Sequence, residues 1–234
     1  MKNMIFILPL FISVAAFSQS AWNEKYYDSV TVNNFRKFAP FSQQIDINNF
    51  DHRLADAAVY YATNEIRNNK KLPVLTYHKS LEIAAYMHSN DMAEKRYFDH
   101  INNKNKKRRT PEERTKLAGI SNPYPAENIT EGFVLDYIAN KPVYPKGKGK
   151  FSYSVDGGLI QPLTYLQLAD NLLNAWMNSK GHRENILSKN NRELGCGVAL
   201  YIDEKFNDMP MVKATQVFQQ YVDIEEGNRT DKPF

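Results

Sequence analysis

The sequence predicts an α+β fold in which helices pack on an antiparallel sheet. Segments with helical periodicity outnumber segments with strand character, and the two clearest strands, residues 194–202 and 211–218, follow one another late in the chain. Strands and helices show no regular alternation, which a parallel doubly wound sheet would require. The elements are taken below in chain order.

Residues 1–20 have the pattern of a cleavable export signal. Lys2 precedes an apolar run from Met4 to Phe17, and small and polar residues follow at positions 18–20. This is the order of the basic, apolar and cleavage regions of a secretory signal peptide. The run is shorter than the roughly 20 apolar residues that cross a bilayer, and no later segment is apolar enough. We therefore expect an exported protein, periplasmic or extracellular, without a transmembrane anchor after signal removal.

The overall charge and the cysteine content limit the partners and the source of stability. A formal net charge of +4 over 234 residues is mild and predicts no nucleic-acid partner. Cys196 is the single cysteine, so no intramolecular disulfide can form and packing must supply the stability. Its place in the predicted strand at 194–202 indicates a buried, inert thiol; an intermolecular bridge or a reactive thiol is the alternative.

The first half of the chain predicts an arm and two helices. Residues 21–50 are rich in Asn, Tyr, Phe and Gln without a clear period, and we expect an extended arm that lies on the domain. Apolar residues at helical spacing follow Asp51, a candidate N-cap, and this first helix closes before Pro73. A second helix is predicted from about Ser80 to Lys95. It carries His88 on its apolar stripe, which indicates a structural histidine rather than a ligand.

The second half predicts two more helices and an excursion between them. Thr110 and Pro111 are typical of a helix start, and this third helix ends at Gly119. The basic run before it, residues 104–109, has no interleaved aromatic residues and is interpreted as a solvated loop. Residues 141–162 are rich in Pro, Gly, Lys, Tyr and Ser and predict an exposed insertion with a hairpin at Asp156-Gly157. A fourth helix runs from Thr164 to about Asn178, and the polar residues 223–234 predict a frayed tail.

Two histidines and one glutamate are the candidate site residues. His100 follows a helix end, His182 lies just past another, and Glu127 stands at the start of an ordered element after a Pro-Tyr-Pro turn. Two imidazoles and a carboxylate can bind a divalent ion such as zinc, or run acid and base steps on a bound water. Spacing alone does not show that they meet. The chain has no His-Glu-x-x-His run, no Gly-x-Ser-x-Gly elbow and no glycine-rich phosphate loop.

Together these residues resemble a known family. The shared motifs, in order, are Asn64-Glu-Ile-Arg67, Leu81 with Ala85, His88-Ser-Asn-Asp-Met92, Phe98-Asp-His100, Thr110-Pro111 with Arg114, Ala118-Gly119, Ala126-Glu-Asn-Ile129, Trp176-Met-Asn-Ser-Lys-Gly-His-Arg-Glu-Asn-Ile-Leu187, Leu194-Gly-Cys-Gly-Val198 and Thr215-Gln216. The sequence resembles bacterial members of the CAP superfamily, the SCP-domain proteins related to cysteine-rich secretory, antigen and pathogenesis-related proteins. The resemblance places a CAP/SCP-like domain at residues 51–222.

The resemblance implies an α-β-α sandwich with a central antiparallel sheet and a groove on one face. It also implies that His100, Glu127 and His182 converge in that groove, with the two histidines as metal ligands and Glu127 as a nearby carboxylate. Animal and plant relatives have a second glutamate three residues after the tryptophan, where this chain has Ser179. The two-histidine, two-glutamate set is therefore incomplete, and nothing in the motif supports Glu131 or Glu184 as a substitute.

Three functions follow as expectations. The first is a non-enzymatic exported module that binds an envelope component, a lipid or a protein through the groove, with or without a divalent cation. The second is a metal-assisted, peptidase-like hydrolase in which Glu127 polarises water held by His100 and His182. The third is lipid or sterol binding in an apolar crevice, which the sequence neither supports nor opposes.

Overall fold

The computed structural model describes residues 20–220. Five helices and a four-stranded central sheet make up most of this region, and a separate two-stranded sheet lies in the segment before the fourth helix. The helices are α1 (His52–Asn69), α2 (Lys79–Glu94), α3 (Pro111–Leu117), α4 (Tyr165–Asn178) and α5 (Lys180–Leu187), and the strands are β1 (Thr76–Tyr77), β2 (Pro125–Phe133), β3 (Tyr144–Pro145), β4 (Phe151–Ser152), β5 (Glu193–Asp203) and β6 (Met209–Gln219).

The central sheet has the strand order β1-β5-β6-β2, and its three long strands are antiparallel. Only the two-residue strand β1 runs parallel to its neighbour β5. Helices α1 and α4 cover one face of the sheet with the main apolar core, in which Leu172 of α4 joins Val198 of β5. Helix α2 covers the other face with a smaller cluster that includes Leu81 and Val217. The predicted α-β-α sandwich with a central antiparallel sheet is confirmed.

Local sequence signals set the helix ends. Asp51 caps α1 by accepting a hydrogen bond from the backbone N–H of Leu54, as predicted. Thr110 and Thr164 each form a capping box at the start of α3 and α4, which satisfies backbone donors that have no partner within the helix. The predicted bounds of the first four helices are confirmed to within about two residues.

Helix α2 lies unusually close to β5 because glycines face it. A Cβ added to Gly195 would lie 2.0 Å from the backbone nitrogen of Glu82, and one added to Gly197 would lie 2.1 Å from that of Tyr86. Only residues without a side chain allow this approach. Between them, Cys196 points to the opposite face and is buried, and burial raises the pKa of its thiol well above the ordinary value. The expectation of a buried, inert thiol agrees with this geometry.

The N-terminal arm is not extended. Between Glu24 and Asn49 the chain forms four short 3₁₀ helices, and Trp22, Phe35 and Phe41 are buried in the main core. Aromatic side chains bury large areas, so this segment is held to α1 by packing rather than lying loosely on the surface. The expectation of an extended arm over residues 21–50 was therefore wrong in conformation.

The segment at 141–162 differs from its prediction in two ways. The hairpin is formed by β3 and β4, so the turn lies at residues 146–150 and not at Asp156-Gly157. The segment is also anchored, because Phe151 is fully buried in a small cluster with Leu135 and Met209. A hairpin at Asp156-Gly157 would pair the residues on either side of it, and one backbone hydrogen bond of this kind is present: the N–H of Ile160 donates to the Phe151 carbonyl at 2.8 Å.

Two of the predicted segments lie outside the described residues: the export signal at 1–20, except for Ser20, and the polar tail at 223–234. Within residues 20–220, no helix combines the length and the apolar character that crossing a membrane demands.

Candidate functional site

Glu127 lies on β2, the strand at one edge of the central sheet, and its side chain points to the face covered by α2 and α3. Its side chain is only 2% exposed, although it is a carboxylate. Burying an unpaired charge is strongly unfavourable, so a buried glutamate requires charged partners. Two such partners are present.

Both carboxylate oxygens of Glu127 are engaged. His100 Nδ1 lies 2.8 Å from Oε1, and the Arg114 guanidinium donates to Oε2 at 2.7 Å. Arg114 is itself buried and also donates to the backbone carbonyls of His100 and Arg109, at 3.0 and 2.9 Å. The guanidinium therefore fixes both the carboxylate and the loop that carries His100.

These contacts shift the pKa values in opposite directions. Burial on its own would raise the pKa of Glu127, but the hydrogen bond with His100 and the charge of Arg114 outweigh it, so this pKa lies below its ordinary value. The hydrogen bond with Glu127 raises the pKa of His100 above its ordinary value, against the opposing effect of burial. Glu127 is thus an anion at neutral pH, and His100 keeps its proton to a higher pH than an unperturbed imidazole.

His88 lies behind this pair and is fully buried. Its Nε2 is 3.7 Å from Oε1 of Glu127, too long for a hydrogen bond, and its Nδ1 is 3.5 Å from the Tyr97 hydroxyl. Burial lowers the pKa of His88 to about 4, so it is neutral at pH 7 and forms no ion pair with Glu127. The expectation that His88 faces the core is confirmed.

His182 lies on the other side of the same strand edge, in helix α5. The sequence placed it just past the end of a helix, and α4 does end at Asn178, but the further helix formed by residues 180–187 was not predicted. Its backbone carbonyl accepts a hydrogen bond of 3.1 Å from the side chain of Asn128. Burial, followed by the charge of His100, lowers the pKa of His182. The structure joins His100 to Glu127 directly, while His182 is tied to the strand only through its main chain.

A buried chain of amides holds α5 against β2. The side-chain amide of Asn185 donates a hydrogen bond of 2.8 Å to the Asn128 side chain, and the Asn128 amide donates one of 3.0 Å to the Gln216 side chain. The Gln216 amide in turn donates a hydrogen bond of 2.7 Å to the Thr63 hydroxyl. Asn185 also approaches the backbone carbonyl of Glu127 at 3.4 Å. This network connects α1, β6, β2 and α5, so buried hydrogen bonds hold the helix that carries His182 against the central sheet.

We use the name edge surface for the strip that runs along the outer edge of β2, bounded by His100 on one side and His182 on the other, and including the main chain of Glu127, Ile129 and Glu131. The His100 side chain is 45% exposed. Both imidazoles can therefore reach a ligand, whereas the Glu127 carboxylate cannot.

The donor set was tested against the divalent cation that the resemblance implies. Among residues 20–220, no three His, Cys, Asp or Glu side chains lie close enough together to hold a metal ion. A catalytic zinc site normally uses three protein ligands. Here each Glu127 oxygen already has a charged partner and His100 uses Nδ1 on Glu127, so the set does not fit such a centre in this arrangement. A cation held by His100 and His182 stays a prediction.

The remaining candidate carboxylates lie elsewhere. Ser179 occupies the N-cap position of α5. Glu131 forms an ion pair with Lys213 and accepts a hydrogen bond from Tyr201 at 3.2 Å, away from His100. Glu184 is exposed on α5. None of the three completes a second glutamate position.

Sequence reasoning did not assign a role to Arg114, Asn128, Asn185 or Gln216. Arg114 and Asn128 stood within the motifs of the resemblance, yet their partners are distant in sequence and no local pattern pairs them. One signal in the sequence could have suggested the pair. A glutamate that is buried in an edge strand needs a positively charged partner, and Arg114 lies in α3, the helix that directly precedes β2.

The three-layer fold and the histidine-bound glutamate at the sheet edge define an α-β-α sandwich domain with a polar site at one edge. The family model described as "Cysteine-rich secretory protein family" (CAP) matches residues 60–218. Because this match covers more than half of the chain, the protein belongs to the CAP family.

Individual relatives are more distant. The chain is 28% identical over 135 residues to the uncharacterized protein YkwD of Bacillus subtilis, a match that covers 58% of this chain and 38% of that protein. An extracellular SCP-domain protein of Bacillus anthracis is similar with a TM-score of 0.46 and 21% identity, covering 75% of this chain and 43% of the other. An outer surface protein of Borrelia burgdorferi is similar with a TM-score of 0.47 and 16% identity, covering 77% and 99%. The matches thus span about two fifths of the length of each of the two Bacillus proteins.

Proposed function

We propose that this chain is an exported, non-enzymatic binding domain that holds an envelope or extracellular ligand on the edge surface, between His100 and His182. The proposal depends chiefly on one observation: the buried carboxylate of Glu127 is bound at both oxygens, by His100 and by Arg114. This arrangement positions His100 and leaves its imidazole half exposed toward a ligand.

The same observation weighs against hydrolysis. A general base must accept a proton from water within hydrogen-bond reach. Glu127 is 2% exposed in its side chain, and its lowered pKa makes it a weak base. Within residues 20–220, no serine, threonine or cysteine nucleophile is hydrogen-bonded to either site histidine. A binding role requires only that His100 and His182 present donors and acceptors.

Export is supported by the sequence pattern of residues 1–20, and the single cysteine leaves packing to stabilise the domain without an intramolecular disulfide. The extensive buried core, from Trp22 of the N-terminal segment to Phe218 of β6, stabilises the domain by packing alone. Periplasmic or extracellular placement is part of the proposal.

The test compares three defined probes with the chain lacking residues 1–19: peptidoglycan fragments, phosphatidylethanolamine–phosphatidylglycerol vesicles, and a library of linear dodecapeptides. We expect saturable binding to one class, weakened at least about tenfold by the double variant His100→Ala/His182→Ala. His52→Ala is the matched control, because His52 is also part-exposed but lies beside α2, stacked on Tyr86.

Saturable binding that the double variant does not weaken would place the ligand elsewhere and overturn the proposal, as would failure of all three classes to bind. Turnover of a peptide or ester substrate, with zinc supplied, that disappears in Glu127→Gln would overturn the non-enzymatic part.

A further inference from the structure

We infer that the outer edge of β2 accepts an extended peptide, which adds to the central sheet as a further strand. This inference rests on the proposed function and names the class of ligand for the edge surface.

The backbone groups of β2 alternate between β6 and the outside. Strand β2 keeps one register with β6 from Pro125 to Phe133, and just past its end the N–H of Val134 donates a hydrogen bond of 3.0 Å to the carbonyl of Pro210, so the even-numbered residues of β2 face β6. The carbonyl of Glu127 is approached from outside by Asn185, so odd-numbered residues face outward. The N–H and C=O groups of Ile129, a residue that is 5% exposed, and the N–H of the exposed Glu131 therefore point away from the sheet, and no hydrogen bond to them forms within residues 20–220.

The opposite edge of the sheet is protected. Strand β1 pairs with the first residues of β5, and beyond it Asp56 accepts a hydrogen bond of 2.6 Å from the N–H of Val198. Farther along, Arg96 donates 2.7 Å to the carbonyl of Ile202. Folded proteins normally block their strand edges because open edges pair with other chains. The molecule blocks β5 with side chains and leaves β2 open beside its site histidines.

A strand already follows this edge where β2 ends. The N–H of Leu163 donates 2.8 Å to the carbonyl of Val134, and the N–H of Asp136 donates 2.9 Å to the carbonyl of Gln161. Residues 161–163 thus lie antiparallel to the continuation of β2. In this register Thr164, the N-cap of α4, lies opposite Phe133, so a bound peptide would occupy the stretch beside residues 129–131 and form the hydrogen bonds typical of strand addition.

Side chains beside the open edge favour an acidic peptide with an apolar residue. His100 uses Nδ1 on Glu127, which leaves Nε2 to donate to a peptide carboxylate when the ring is protonated. The Phe98 ring is 48% exposed and lies 5.0 Å from Nζ of Lys213, the ion-pair partner of Glu131, so it offers an apolar contact near the same edge.

The experiment uses a phage library of linear dodecapeptides selected on the chain lacking residues 1–19, followed by fluorescence anisotropy with the enriched peptides. The key variant is Glu131→Pro, because proline removes the outward N–H while the ladder to β6 keeps all its hydrogen bonds. Glu131→Ala is the matched control that removes the same side chain but keeps the N–H. Thermal unfolding verifies that both variants fold.

We expect enriched peptides to contain acidic residues, to bind saturably, and to bind Glu131→Pro at least about tenfold more weakly than Glu131→Ala. A second readout is amide hydrogen exchange: peptide should slow exchange at Ile129 and Glu131, and leave the amide of Val198, already bonded to Asp56, unchanged.

Two results would overturn strand addition. Library selection that enriches no peptide above background contradicts a peptide ligand, and enriched peptides that bind Glu131→Pro and Glu131→Ala equally contradict backbone pairing. If such peptides are still lost in His100→Ala/His182→Ala, the proposed function stands and only strand addition fails; if neither change affects them, both fail. If Glu131→Pro does not fold, the exchange rates at Ile129 and Glu131 decide in the wild-type chain.

Discussion

Nδ1 of His100 lies 2.8 Å from Oε1 of Glu127, which ties a half-exposed loop residue to a buried carboxylate in an edge strand. The other carboxylate oxygen is bound by the buried guanidinium of Arg114. Glu127 therefore contributes to the site by positioning the His100 imidazole and by raising its pKa. The predictions below test that interpretation and the packing that positions the site.

Replacing Glu127 by glutamine is expected to destabilise the fold by about 3 kcal/mol, because it leaves the Arg114 charge buried without its counterion. Urea unfolding measures the loss. Glu204→Gln is the matched control: Glu204 is 77% exposed in its pair with Arg96, and its loss should cost less than about 0.5 kcal/mol. Equal, small losses in the two variants would show that the Glu127–Arg114 pair does not hold the site.

The contribution of His100 to stability should depend on pH. Because its folded pKa is raised, its stabilising effect is fully present below its unfolded pKa and is lost as the pH rises through the folded pKa. The difference in unfolding free energy between wild type and His100→Ala should therefore be larger at about pH 5.5 than at about pH 8.5. His88, with its lowered pKa, is present in both proteins and cancels. A difference that grows with pH would reverse the sign and reject the assignment.

Gly197→Ala is expected to destabilise the protein by more than about 3 kcal/mol, since the new Cβ would collide with backbone of α2 that cannot move independently. The colliding atom is the Tyr86 nitrogen, 2.1 Å away. Gly158→Ala serves as the control, because a Cβ at Gly158 meets nothing within 4 Å. Thermal unfolding of both variants checks the expectation, and a Gly197→Ala protein as stable as the control would show that α2 does not pack this closely.

Asp56→Ala should cost about 1–3 kcal/mol, because the backbone N–H of Val198 at the β5 edge would be left buried without an acceptor. Asp56→Asn should cost less, since its amide oxygen can still accept that hydrogen bond. Burial raises the pKa of Asp56 well above its ordinary value because it disfavours the charged carboxylate, and asparagine carries no charge. Urea unfolding compares the two, and an asparagine variant as unstable as the alanine variant would contradict the capping role.

The fold was largely predictable because its helices carry strong local signals. Asp51, Thr110 and Thr164 cap helices whose apolar residues recur at helical spacing, and β5 and β6 are continuous apolar segments. Strand β2 was missed as a strand because Glu127 and Asn128 are polar residues that nevertheless point inward. Their burial depends on tertiary partners, which no single-sequence period can reveal.

The sequence predicted only part of the contacts at the candidate site. His100 and Glu127 were expected to meet, and they do; His182 was expected with them but shares only main-chain connections with the strand. Sequence spacing could not reveal the role of Arg114, because its partner Glu127 lies in a strand that is separated from the helix of Arg114 by a turn. The N-terminal segment was misjudged since its short 3₁₀ helices have no amphipathic period.

The central claim is that Glu127 is held by His100 and Arg114 and is not free to act on water or a cation. The most direct test is an NMR titration of the imidazole nitrogens in wild type and in Glu127→Gln. We expect His100 to titrate above its ordinary pKa of about 6.5 in wild type, this pKa to fall in the variant, and His182 to titrate below that value in both. A wild-type His100 that titrates at or below its ordinary pKa, unchanged by Glu127→Gln, would contradict it.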